Sequence, residues 1–213
     1  MQQTITQQPA QRGLFYVTNM ALKLITPAST LAVSLVEAKA HLRVDSSDED
    51  TLITALITSA TETAEQITGR AIMPQTWELT QDAFDDQMVL TRVPVASITS
   101  VSYLNESGNL IVLDPSAYDL YNTDDFGYAT VLPAYETAWP ATRDTTNAVA
   151  VRYVAGYADA ASVPEGIKQW IKLTVSAMFE NREAEAYSSR AVSTTVKMSF
   201  VDALLDRYRV WGL

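Results

Sequence analysis

Residues 48–80 read DEDTLITALITSATETAEQITGRAIMPQTWELT, and two periodicities meet inside this one stretch. Up to Thr68 the apolar residues Leu52, Ile53, Leu56, Ile57, Ala60, Ala64 and Ile67 recur at offsets that line one stripe of an α-helix. Gly69 follows, a residue free to take the positive φ with which helices often close. The spacing predicts a helix over residues 48–68, about 30 Å long at 1.5 Å per residue. After Pro74 the period drops to two. Trp77 and Leu79 alternate with Glu78 and Thr80, the pattern of a strand with one buried face.

Outward from this switch, the same start signal occurs three times. Ser34-Leu35-Val36-Glu37, Ser46-Ser47-Asp48-Glu49 and Ser162-Val163-Pro164-Glu165 match the capping box. In that device a Ser oxygen accepts from the third helical amide and the Glu reaches back to the Ser amide. A short helix is predicted over 35–42. A third over 164–183 carries Ile167, Trp170, Ile171, Thr174, Val175, Met178 and Phe179 on one face, and a fourth over 199–208 carries Phe200, Val201, Leu204, Leu205 and Tyr208. Strands are predicted at 88–93, 98–104, 110–113, 118–121, 129–132 and 148–154. Asn105-Glu106-Ser107-Gly108-Asn109 reads as a hairpin connection, with Gly108 suited to positive φ. The order helix, helix, strands, helix, helix predicts an α+β protein, a helical bundle of about four helices with an inserted antiparallel β unit. The expected division is a flexible arm over 1–19, a helical core from 20–75 and 159–213, and a β-rich insertion over 76–158.

A hydrophobic content of 47% is enough for a real core, while only 19% charged residues, below the usual quarter or so, suits a surface partly covered by partners. Without cysteine the chain has no disulfide, zinc–thiolate site or thiol nucleophile. The net charge of −10 is unevenly spread. Residues 76–146 hold only Arg92 and Arg143 against eleven acids, a balance of −9; residues 165–213 hold seven basic and six acidic residues, a balance of +1. Phosphate binding needs clustered Lys and Arg, so this distribution disfavours a DNA-gripping protein and suits a surface past which DNA slides. No apolar run reaches the ~20 residues of a membrane span. Residues 1–19, Gln-rich with Arg12 as their one charge and Leu14-Phe15-Tyr16-Val17 as their apolar cluster, lack a secretory apolar core and read as a polar arm.

Catalytic signatures are missing. His41, the one histidine, lies beside Lys39 in a short helix, and neither a Gly-x-Ser-x-Gly elbow nor a phosphate-cradling glycine loop exists. The acids of Asp45-Ser46-Ser47-Asp48-Glu49-Asp50 lack the central Gly of a calcium loop and suit a helix amino end. Asp85-Asp86 and Asp124-Asp125 are adjacent pairs whose side chains diverge in an extended chain, poor geometry for an acid/base dyad. No catalytic, cofactor-binding or metal-ligating residue is assigned. The carboxyl end differs: Arg207, Tyr208, Arg209, Val210, Trp211 and Leu213 bring together the residue types that dominate protein interfaces. They are the candidate site, as an anchor on a partner or as packing onto the subunit's own helices.

Several segments, taken in order, resemble the head–tail connector proteins of tailed bacteriophages. They are Leu22-Lys23-Leu24-Ile25-Thr26-Pro27, the run from Ser34 to Asp45, Thr68-Gly69-Arg70-Ala71 before Gln75-Thr76-Trp77-Glu78-Leu79, and Tyr153-Val154-Ala155-Gly156-Tyr157. Val163-Pro164-Glu165-Gly166-Ile167-Lys168, Glu180-Asn181-Arg182-Glu183 and Tyr208-Arg209-Val210-Trp211 complete the match, which covers about residues 20–213. The resemblance implies a non-enzymatic virion protein with no cofactor, assembled in the host cytoplasm and resident in the neck. It implies a homo-oligomeric ring, conventionally of twelve copies, docked beneath the portal protein. Such a ring extends the DNA channel and offers a platform to the tail or a tail-terminator or stopper protein, with no membrane involved. The competing readings are a DNA-contacting packaging accessory, which needs a basic stripe on one folded face, and a carboxylate-based hydrolase, which needs two convergent acids in a pocket.

Overall fold

The computed structural model describes residues 20–122, 127–181 and 199–210. The first strand, β1 (Ala21–Thr26), precedes every helix; α1 (Leu35–Leu42) and α2 (Asp50–Thr68) follow. At the start of α1 the expected capping box forms: Glu37 N donates to Ser34 Oγ at 3.2 Å, and Ser34 N donates to Glu37 Oε2 at 2.8 Å. Those Ser34 hydrogen bonds hold the Glu37 carboxyl below its ordinary range. The other two boxes do not form. Ser46 instead closes a local turn with Asp48, and α2 begins at Asp50, which pairs with Lys39 Nζ at 2.6 Å. Ser162 turns back to Asp159, donating from both N and Oγ at 2.8 Å, so α3 (Glu165–Glu180) starts after Pro164 with no side-chain cap. In each case an aspartate other than the box's glutamate, Asp48 for Ser46 and Asp159 for Ser162, holds the serine in a local turn in place of the helix amides.

Helix α2 closes at Gly69, whose φ is 73°, and buries Ile53, Ile57, Ala60 and Ala64 as its stripe. Ile167, Trp170, Ile171 and Val175 of α3 meet that stripe, and Val201 and Leu205 of α4 (Ser199–Asp206) complete the apolar cluster. On α2 threonine hydroxyls bond back to the preceding turn, for example Thr61 Oγ1 to Ile57 O at 2.8 Å and Thr68 Oγ1 to Ala64 O at 2.7 Å.

The remaining strands are β2 (Gln75–Gln81), β3 (Met88–Leu90), β4 (Val95–Leu104), β5 (Leu110–Val112), β6 (Tyr118–Asn122), β7 (Ala129–Pro133) and β8 (Val149–Ala155). They form a five-stranded sheet, β1-β2-β8-β4-β5, and a three-stranded sheet, β3-β7-β6, with every pairing antiparallel. Central β8 pairs Tyr153 with Trp77 on one side and with Ile98 on the other. A second apolar cluster lies here, with Leu79, Met88, Leu90, Val101, Val131, Val149, Val151 and Tyr153 buried. Burial pushes the Tyr153 hydroxyl up to about 12. The β4–β5 hairpin turns at Gly108 with φ 81°, as its residues predict.

The expected helical bundle with an inserted β unit is not what forms. Among the described residues there are four helices, but two of them, α1 and α4, span only eight residues each, too short to frame a bundle. Two antiparallel sheets of five and three strands carry the larger framework. Moreover, the five-stranded sheet starts at Ala21, ahead of the helices, so it is not an insertion into them. The cause is β1. Leu22-Lys23-Leu24-Ile25-Thr26 does not alternate cleanly, because an edge strand exposed along much of its length has no single buried face to encode.

Candidate functional site

The carboxyl segment lies where the two apolar clusters meet. After α4 the chain tightens into a turn, with Tyr208 N donating to Leu205 O at 2.8 Å. The half-buried Tyr208 ring packs on the helix cluster and lies against Gly166 in the first turn of α3; a Cβ there would stand 3.0 Å from the ring. Arg70, 1% exposed, donates from Nε to Tyr208 O at 2.6 Å. Val210 N then donates to Thr68 O at 2.8 Å, and the Val210 side chain packs on the sheet cluster beside Gly69. Arg209 pairs with Asp206 at 3.0 Å, and Arg207 is exposed. The segment 208–210 is thus a clasp joining helices to sheet. Of the six candidate residues, Tyr208 and Val210 face the subunit's own core, while Trp211 and Leu213 lie outside the described residues.

A second joint, which sequence reasoning missed, forms around Glu65 near the end of α2. Its carboxylate accepts from Ile72 N at 2.7 Å and from Gln75 Nε2, tying the helix to the first residue of β2. Arg92 donates from Nη1 to Glu65 O at 3.2 Å while its guanidinium sits 5.0 Å from the centre of the Trp77 ring. Nothing local in sequence marks Glu65, which sits among exposed polar residues of the same helix; its partners become visible only in the fold. Burial raises the Glu65 carboxyl above its ordinary value of 4.5, against the opposing pull of Ile72, Gln75 and Arg92. A raised folded value contributes stability that is full below the unfolded value and lost as pH rises through the folded one. Glu65→Gln removes that titration. Stability of the parent relative to the variant should therefore increase as pH falls from 7 toward 4.5. Denaturant midpoints of both proteins across that range check this, and a pH-independent difference overturns it.

Other singled-out residues are not gathered into a site. His41 is exposed on the last turn of α1, Asp85 accepts from Gln81 Nε2 at 3.0 Å, and Asp124-Asp125 lies outside the described residues. Among the described residues no group of three His, Asp or Glu is placed to hold a metal ion, and no helix is long and apolar enough to cross a membrane. The cations of the acidic region are engaged in the subunit: Arg92 over Trp77, Arg143 over Gly108 at the β4–β5 hairpin. Arg152 on β8 pairs with Glu78 at 2.6 Å. No basic stripe of the kind that grips duplex DNA is assembled there.

Among the described residues neither outer strand of the five-stranded sheet has a further pairing partner, and both edges expose apolar side chains. On β5 Leu110 is 68% and Val112 63% exposed, with Ile111 also exposed; on the opposite edge Leu24, and Met20 just before β1, are exposed.

Over residues 32–209 the sequence matches the family described as head completion protein. The chain belongs to that family. This is the head–tail connector group that the segments quoted above resemble. Solved structures of similar fold include chains of gene transfer agent particles. One is a chain in the neck of an empty GTA particle computed with C6 symmetry, at TM-score 0.72 and 21% identity, over 91% of this chain and 97% of that one. Another is a chain in the virion of a native gene transfer agent (GTA) particle, at TM-score 0.68 and 20% identity, over 90% and 96%. A third is in the neck of a native GTA particle computed with C12 symmetry, at TM-score 0.64 and 19% identity, over 91% and 97%. No curated protein matches the chain.

Proposed function

We propose that this head completion protein is a structural subunit of the virion neck, an adaptor between head and tail rather than an enzyme. Copies of it form a ring, of twelve by analogy with the C12 neck, docked under the portal protein. The ring extends the DNA channel and presents a platform to the tail or to a terminator or stopper protein; assembly takes place in the host cytoplasm. The observation that carries this reading is the family match over 32–209, together with a fold that spans nearly the whole length of a neck protein. Charge agrees with it: the −9 balance of residues 76–146 repels the DNA backbone and lets it pass unbound. In this role Arg207 and Arg209, with Trp211 and Leu213, remain the candidates for contact with the portal, while Tyr208 and Val210 secure the segment to its own subunit.

Particles produced without this chain should contain packaged heads that lack tails. Electron microscopy of the neck of complete particles should show density for the chain repeated about the channel axis. Tailed, DNA-retaining particles made in its absence would refute the reading.

A further inference from the structure

We propose that neighbouring copies join edge to edge, the β5 strand of one subunit pairing with the β1 strand of the next, so that the five-stranded sheets run on around the ring. This rests on the ring proposed above and names the surface that builds it.

Four observations lead there. First, β5 is an edge strand of three apolar residues, all exposed: Leu110 and Val112 point to one face and Ile111 to the other. Free apolar edges template pairing with another chain, and folded proteins ordinarily cover or charge them. Second, among the described residues the other edge of the same sheet is also unpaired and partly apolar, with Leu24 and Met20 exposed. Third, the pairings alternate without exception across β1-β2-β8-β4-β5, so β1 and β5 run in the same direction. A copy displaced sideways without being flipped therefore brings its β1 alongside β5 in parallel. That is the head-to-tail contact a cyclic ring requires; two β5 edges meeting each other would need a two-fold axis and would stop at a dimer. Fourth, charge is complementary. β1 exposes Lys23, whereas β5 is bracketed by the exposed acids Glu106 and Asp114, with Arg143 set back over Gly108.

The contact is short. Register on β1 shifts between Leu24 and Thr26, so its regular part is Ala21–Leu24, facing the three residues of β5. A single such contact is weak and leaves the free subunit free to stay apart. Subunits held together on a portal make the later contacts effectively intramolecular, and the ring then closes. At about 4.8 Å per strand, each copy takes up about 24 Å of arc at the level of the sheet.

The chain has no cysteine, so introduced ones are unique. The full-length double variant Leu24→Cys/Ile111→Cys, whose side chains share one face of the sheet, assembled into particles and treated with a short bis-maleimide, should give a ladder of covalent oligomers beyond the dimer. Each single variant should give none. Dimers from Ile111→Cys alone would show β5 meeting β5 and overturn the proposal, as would a sheet spacing in the neck far above 24 Å. Val112→Lys, which places a cation on the sheet face that carries Lys23, should leave the melting midpoint of the free subunit unchanged and lower its incorporation into particles at least tenfold. Normal incorporation of that variant overturns the proposal. These outcomes are distinct from failure of the neck assignment. A protein present in the neck without these cross-links disproves only the edge pairing, and a protein absent from particles disproves the assignment itself.

Discussion

Arg70→Ala should lower the stability of the subunit by about 3–5 kcal/mol, a loss on the order of 10 °C in melting midpoint. The side chain is among the largest that the fold buries completely, and its Nε holds the Tyr208 carbonyl at 2.6 Å across 138 residues of sequence. Truncation removes both the packing volume and the Nε donor, leaving the partly buried Tyr208 carbonyl without that hydrogen bond. Arg70→Lys should recover little, because an ammonium cannot reproduce the fixed donor geometry of the guanidinium. The carboxyl segment should be released at the same time. Amide exchange at Val210, which donates to Thr68 O, should accelerate more than exchange in central β8. A loss below about 1 kcal/mol in a urea melt would show that Arg70 is not what holds the clasp.

Gly156→Ala should cost about 3 kcal/mol or more. The residue directly follows β8 with φ 124°, a conformation that L side chains rarely adopt, and a Cβ there would stand 2.3 Å from the carbonyl oxygen of Met73. Backbone cannot step aside as a side chain can. On either side the chain is pinned, Gly156 N to Pro94 O at 2.8 Å and Tyr157 N to Ile72 O at 3.0 Å. Gly166→Ala is the informative comparison. There the new methyl would press on the Tyr208 ring, which can rotate, so the effect should be smaller and confined to the carboxyl segment. Equal losses at the two positions would contradict this account.

Much of the secondary structure was legible in the residues. Apolar spacing placed α2 with its Gly69 terminus, α1 to the residue, and every strand from β2 onward within a few positions. What escaped reading was set by distant partners. β1 carries no clean alternation because it is an exposed edge, and without it the sheet looked like an insertion into helices. Two of three capping boxes failed because Asp48 and Asp159 hold the same serines in local turns. Arg70 follows a helix-ending glycine and gives no sign of burial, and Glu65 resembles its exposed helical neighbours. For the carboxyl end, residue types signalled contact without saying with what: Tyr208 and Val210 turn inward, and Arg207 and Arg209 are left as candidates for a partner.

The place of β8 at the centre of the five-stranded sheet also determines when the sheet can exist during synthesis. β1 and β2 emerge from the ribosome early, yet the strand that joins them to β4 is completed only at Ala155, roughly 130 residues after Ala21, on the order of ten seconds at usual elongation rates. In that interval a nascent chain displays Leu79, Val95 and Val101 with nothing to cover them, and a polysome holds many such chains side by side. The acids of residues 76–146 leave the ribosome together with those strands, so unfinished copies repel one another while their apolar residues wait. The acids to which the proposed function assigns free passage of DNA would thus also oppose aggregation of the subunits before they are complete.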